Sequence, residues 1–181
     1  MRRGFDKSKR EDNMKVDKNI LAVVTLAFAA FLSSGGASAQ VVALGASNTE
    51  GYGVGSSSAY PAQLEAMLRA KGRPMRVSNA GVYGDTTGGM LSRLSSDVPA
   101  GTRVVILQFG GNDMRRGVSP RERQANIAQI QAQLRARGIR TVQADGAVLG
   151  ALRSGLKQAD GVHLTEEGHR RVAASLLSSV R

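Results

Sequence analysis

A chain of 181 residues is long enough for one ordinary domain and too short for two. Its apolar share of 41% belongs to a soluble globular fold, not a disordered chain, and its net charge of +11 is carried mostly by scattered arginines. With no cysteine and only two histidines, His163 and His169, it excludes disulfides, thiolate catalysis, Cys-based zinc sites and a His-rich metal site.

The first 39 residues read as a targeting segment and not as part of the fold. A basic, polar stretch precedes an apolar run from Ile20 to Leu32, and small residues follow up to Ala37-Ser38-Ala39. These are the charged region, apolar region and A-x-A site of a secretory signal. The run of 13 residues falls short of the roughly 20 needed to span a bilayer, so a permanent transmembrane helix is the weaker reading. Initiation at Met14 would give a more ordinary signal start. Cleavage after Ala39 leaves a domain over 40–181, periplasmic or secreted, with 18 Lys plus Arg against 10 Asp plus Glu. The positive residues are spread over several helical segments, which favours a basic surface over a nucleic-acid stripe.

Within that domain, short β-branched runs alternate with amphipathic segments, the pattern of a parallel α/β sheet. Val41 to Leu44 is the first strand and opens into a Gly/Ser-rich loop reaching Ser58. A helix follows with Pro61 in its first turn, Leu64, Met67 and Leu68 on one face, and Gly72 as its stop. Val77 to Ala80 is the second strand; a further helix carries Met90, Leu91 and Leu94 inward. Val104 to Phe109 suits a central strand buried on both faces. Ser119-Pro120-Arg121-Glu122 is a capping box, and the helix behind it carries Ile127, Ile130 and Leu134 before stopping at Gly138. Ile139 to Val142 is a fourth strand. The stretch from Gln143 to Ala159 has poor periodicity and is not assigned. Thr165 caps a last helix with Glu166 and Glu167 in its first turn and Val172, Leu176 and Val180 as its buried stripe.

In such a sheet ligands bind beyond the carboxyl ends of the strands. Ser47, Gly84, Asn112 and the segment Asp160 to His163 all fall just after a strand or before the last helix. Each alone has a bland reading: a turn serine, a glycine at positive φ, a turn asparagine, an Asp-Gly turn beside a surface histidine. Together they make chemical sense. A serine hydroxyl needs a neighbouring base to take its proton, and an imidazole titrates near pH ~6.5. Asp160, three residues before His163, can fix the ring tautomer.

Gly45-Ala46-Ser47-Asn48-Thr49-Glu50-Gly51-Tyr52-Gly53 resembles the first block of the SGNH (GDSL-type) hydrolase family. Asn79-Ala80-Gly81-Val82-Tyr83-Gly84-Asp85-Thr86 is similar to the second, Gly110-Gly111-Asn112-Asp113 to the third, and Asp160-Gly161-Val162-His163 to the last. All four occur in the family's order and span nearly the whole domain. The resemblance implies a three-layer α/β/α fold, flavodoxin-like, with a short parallel sheet of four to five strands. It implies Ser47 as nucleophile, His163 as base and Asp160 as its orienter. The Ser47 and Gly84 amides and the Asn112 side chain become the oxyanion donors. No metal or organic cofactor is required.

The function so implied is hydrolysis of acyl esters, of the arylesterase, lysophospholipase or thioesterase kind, on a small ester or lysophospholipid-like substrate. Neither nucleic acid nor stable membrane insertion after signal cleavage is expected. Carbohydrate O-deacetylation is the runner-up, and a catalytically impaired binding protein of the same fold the minority reading. Two departures motivate the latter. Ala46 and Asn48 stand where the family usually has Asp and Leu, and the segment from Val142 to Asp160 is short. A phosphate-binding loop is disfavoured because Gly51, Gly53 and Gly55 do not make G-x-G-x-x-G and no Walker lysine follows. Asp85 and Asp113 read as loop braces, Asp145 as a remote substitute for Asp160, and His169 as a helix residue that packs or faces water.

Overall fold

The computed structural model describes residues 40–180. The targeting segment and the alternative start at Met14 lie outside them. Four strands, β1 (Val41–Gly45), β2 (Val77–Gly81), β3 (Val104–Gln108) and β4 (Arg140–Gln143), form one parallel sheet in the order β2-β1-β3-β4. β1 and β3 sit in the middle and every one of their residues is buried, which is why they read as unbroken apolar runs. β2 and β4 lie at the edges and are more exposed.

The alternation along β1 and β3 sorts the core into two layers. Val41, Ala43, Val104 and Ile106 face helices α2 (Tyr60–Ala70), α7 (Asp145–Arg153) and α8 (Glu166–Leu176) through Leu64, Leu68, Val148, Val172 and Leu176. Val42, Leu44, Val105 and Leu107 face the other way, against Met90, Leu94, Ile127, Ile130 and Leu134. Those belong to α3 (Thr87–Ser92), α4 (Leu94–Asp97) and α6 (Pro120–Ala136). The result is the expected α/β/α sandwich, with a four-stranded sheet among the described residues.

The caps behave as the sequence indicates. Ser119 accepts from the Glu122 N–H with Pro120 at the first helical position, and Thr165 accepts from the Gly168 N–H. Two assignments change. The segment expected to form one helix around Met90–Leu94 is broken at Arg93, and Leu91 is only partly buried. The Arg93 guanidinium is drawn to the Ala80 and Gly45 carbonyls and to Asp85, so a tertiary demand overrides the local pattern. The unassigned stretch contains α7, whose buried positions are Val148 and Ala151.

Strand order reverses between β1 and β3, and the crevice beyond their carboxyl ends is where open α/β sheets place ligands. A four-residue helix, α1 (Ser47–Glu50), starts directly after β1. It packs so closely on the strand ends that a Cβ at Gly45 would collide with Thr49 Oγ1, and one at Gly81 with the Glu50 backbone. Glycine at both positions is what lets α1 hold its first residue over the edge. A second short helix, α5 (Asn112–Arg115), does the same after β3.

Candidate active site

Ser47 is the first residue of α1, so its N–H has no intrahelical acceptor and its side chain stands at the sheet edge. His163 lies on the loop before α8, yet its Nε2 is 3.0 Å from Ser47 Oγ. On the other side of the ring, Nδ1 is 2.6 Å from Asp160 Oδ2. Asp160 Oδ1 also accepts from the Val162 and His163 N–H groups at 2.9 and 3.0 Å. These bonds, the ring contact first, hold the Asp160 carboxyl well below the usual carboxylate range although the side chain is exposed. An ionised Asp160 makes Nδ1 the protonated nitrogen and leaves Nε2 free to accept the serine proton.

Asn112 and Ser47 line one cavity of about 470 Å³. The Asn112 Nδ2 donates to the Asp85 carbonyl at 2.8 Å, a bond that orients the amide and engages one of its two hydrogens. Gly84, at φ 69°, is the residue before Asp85 and is not among the residues lining that cavity. The structure therefore joins Ser47, His163 and Asp160 by direct bonds, sets Asn112 in the same cavity, and connects Gly84 to it through Asp85.

The carboxylates expected to brace loops do so. Asp113, fully buried, accepts from the Thr87 N–H and Oγ1, and Asp85 accepts from the Thr86 N–H and Arg93 Nε. Asp145 is not a substitute for Asp160. It accepts from the Phe109 and Gly110 N–H groups at 3.1 and 3.0 Å, while the imidazole has Asp160 as its carboxylate. His169 does not face water: it is fully buried and its Nδ1 accepts from the Tyr60 N–H. Burial, followed by the charge of His163, pulls its pKa down to about 4.

The place left by Ala46 is filled from elsewhere. Gln108 Oε1 accepts from the Ala46 N–H at 3.3 Å and from Thr49 Oγ1 at 3.2 Å, while Gln108 Nε2 reaches Asp145 at 3.4 Å. The turn that carries Ser47 thus rests on a partly buried polar network whose charge comes from α7. The sequence flagged the missing carboxylate but could not show its replacement, because Asp145 reaches this network only through the fold.

Two further features were not visible in the sequence. Val148, Leu149 and Leu152 of α7 form an apolar wall of the cavity, with Arg115 and Arg123 also on its lining. The exposed rings of Tyr52 and Tyr83 stack at 4.6 Å, and Tyr52 lies 4.5 Å from the His163 ring.

A parallel sheet carrying Ser, His and Asp in a relay at its carboxyl edge has the donor–acceptor order of a serine hydrolase. The family model described as GDSL-like Lipase/Acylhydrolase matches residues 43–158, and the chain belongs to that family. It is 32% identical over 115 residues to a protein named Esterase TesA of Pseudomonas aeruginosa, covering 61% of this chain and 56% of that one. The chain spans about half the length of the curated relatives it matches. Among solved structures, AlinE4, described as an SGNH-hydrolase family esterase, is 39% identical with a TM-score of 0.55, covering 61% of this chain and 60% of that one. The psychrotrophic esterase EstA from Pseudoalteromonas sp. shares the fold, with a TM-score of 0.70 at 18% identity over 79% of this chain and 97% of that one. Among the described residues no helix is long and apolar enough to cross a membrane.

Proposed function

We propose that the protein is an exported carboxylic ester hydrolase that works through a Ser47 acyl-enzyme. The observation that carries this reading is the relay itself, with Ser47 Oγ 3.0 Å from His163 Nε2 and Asp160 Oδ2 2.6 Å from Nδ1. His163 Nε2 takes the Ser47 proton as Oγ attacks the acyl carbon. The carbonyl electrons move onto oxygen, where the free N–H of Ser47, the Gly84 N–H and the second Asn112 amide hydrogen are the donors. On collapse the alcohol leaves with the proton from His163. Water, deprotonated by His163, then attacks the acyl carbon, and His163 returns that proton to Ser47 Oγ as the acid leaves.

Membership in a lipase/acylhydrolase family and resemblance to a protein named esterase support small acyl esters, lysophospholipid-like ones included, as the substrate class. The apolar α7 wall supports placing the acyl chain in the cavity. The Gln108–Asp145 network, which supports the turn that Ala46 leaves without a carboxylate, favours the catalytic reading over the impaired binder. Export rests on the signal pattern of the first 39 residues.

Release of p-nitrophenol from a short-chain ester tests the reading. Ser47→Ala and His163→Ala are expected to lower kcat/KM by about 10⁴-fold or more. Turnover by Ser47→Ala at the unsubstituted rate would remove the proposal.

A further inference from the structure

Asn48 stands beside the nucleophile and is buried, a position where a polar side chain needs partners. Its partners lie on the base loop, on either side of the imidazole residue. Asn48 Nδ2 donates to the Val162 carbonyl at 3.1 Å, and Asn48 Oδ1 accepts from the Leu164 N–H at 2.9 Å. The orientation of the amide is fixed by this pair, since reversing it would set donor against donor and acceptor against acceptor. Gln158, at the start of the loop, also donates through Nε2 to the Tyr52 carbonyl at 2.8 Å, while the bonds next to His163 are local. Gln158 N donates to the His163 carbonyl, and Asp160 caps the Val162 and His163 N–H groups. Those bonds shape the loop and tie its start to the Tyr52 segment, but it is the Asn48 bridge that holds the backbone on both sides of His163 itself.

We infer that Asn48 is a positioning residue that sets the Ser47–His163 distance by clamping the backbone on both sides of His163. The inference rests on the hydrolase reading for its kinetic consequence only. Leucine, the family's usual residue at this position, has neither donor nor acceptor and cannot make the bridge. Aspartate is nearly isosteric and keeps an acceptor for the Leu164 N–H, but turns the donor to Val162 into a second acceptor. A loosened loop lets the imidazole drift from the hydroxyl. A misplacement of about 1 Å at a reacting pair is enough to cost on the order of 10²-fold in rate.

The test uses Asn48→Leu and Asn48→Asp beside the unsubstituted protein, with two readouts at temperatures where circular dichroism shows each protein folded. The first is steady-state hydrolysis of a p-nitrophenyl ester together with the rate of labelling by a fluorophosphonate. The clamp predicts a fall of about 10- to 100-fold in kcat and labelling rate for Asn48→Leu, a smaller fall for Asn48→Asp, and KM changed by less than about threefold. The second is the downfield proton resonance of the short His163–Asp160 hydrogen bond, which is expected to shift or broaden in both variants. If Asn48→Leu does not fold, Asn48→Asp alone decides. Labelling rates and a downfield resonance matching the unsubstituted protein in a folded variant overturn the inference, whatever happens to the melting temperature. The resonance can be read even if no ester is turned over, so the clamp and the hydrolase reading fail separately.

Discussion

Two loops at the carboxyl edge of the sheet are each pinned by a carboxylate that gathers consecutive backbone N–H groups. Asp160 takes those of Val162 and His163, and Asp145 takes those of Phe109 and Gly110. They differ in what else the carboxylate meets. Asp160 spends its second oxygen on the His163 ring. Asp145 reaches Gln108, and through it the Ala46 amide and Thr49 under the nucleophile turn. The same backbone device therefore serves the hydrogen-bond chain to Ser47 in one loop and a foundation in the other. What a carboxylate does here is decided by the side chain it meets besides those N–H groups.

The largest separation between the two comes from Asp160→Asn. The amide oxygen still accepts from the Val162 and His163 N–H groups, so the urea midpoint should move little. The ring loses its charged partner, and kcat/KM should fall by about 10²–10⁴-fold. A loss under tenfold would erase the distinction. Next comes Asn112→Ala, which removes the proposed oxyanion donor and should lower kcat by about 10²–10³-fold in initial-rate assays. Asp145→Ala should act in the opposite sense to Asp160→Asn, on stability first. It strands two backbone N–H groups, at a cost of about 1–3 kcal/mol read by urea denaturation, with a smaller kinetic loss.

A further contrast lies in the pH dependence. The folded-state pKa of Asp160 is depressed, so its contribution is intact above the ordinary carboxylate range and is lost only in stronger acid, as pH falls through the folded value. His169 behaves differently. Its neutral form is favoured in the fold, so its contribution is complete above about pH 6.5 and erodes as pH falls toward its folded pKa of about 4. The erosion is on the order of 3 kcal/mol across that window. Urea midpoints measured down to about pH 4.5 should show it, and His169→Leu, though less stable at neutral pH, should flatten it.

Much of this was legible in the sequence wherever one segment settles its own fate. β1 and β3 are apolar at nearly every position because both faces of the sheet are covered. Ser119 and Thr165 announce helix starts because a cap is a local bond. Ser47 and Asn112 stand out because they follow strands, and Asp160 and His163 because they lead into the last helix. The rest depends on partners distant in the chain. α7 is rich in glycine and alanine, which dilutes the helical period, and only Val148 and Ala151 are buried. Arg93 breaks a helix for the sake of carbonyls on β1 and β2. Asn48 reads as a departure from a motif and Asp145 as a remote substitute for Asp160 until Val162, Leu164, Phe109 and Gly110 are brought to them.

The most direct measurement is the mass of active-site peptides after incubation of the folded protein with a fluorophosphonate. A single phosphonyl adduct on Ser47, formed far more slowly in His163→Ala, is the predicted result. A folded protein that takes up no label, or takes it on another serine at the same rate with and without His163, would contradict the relay.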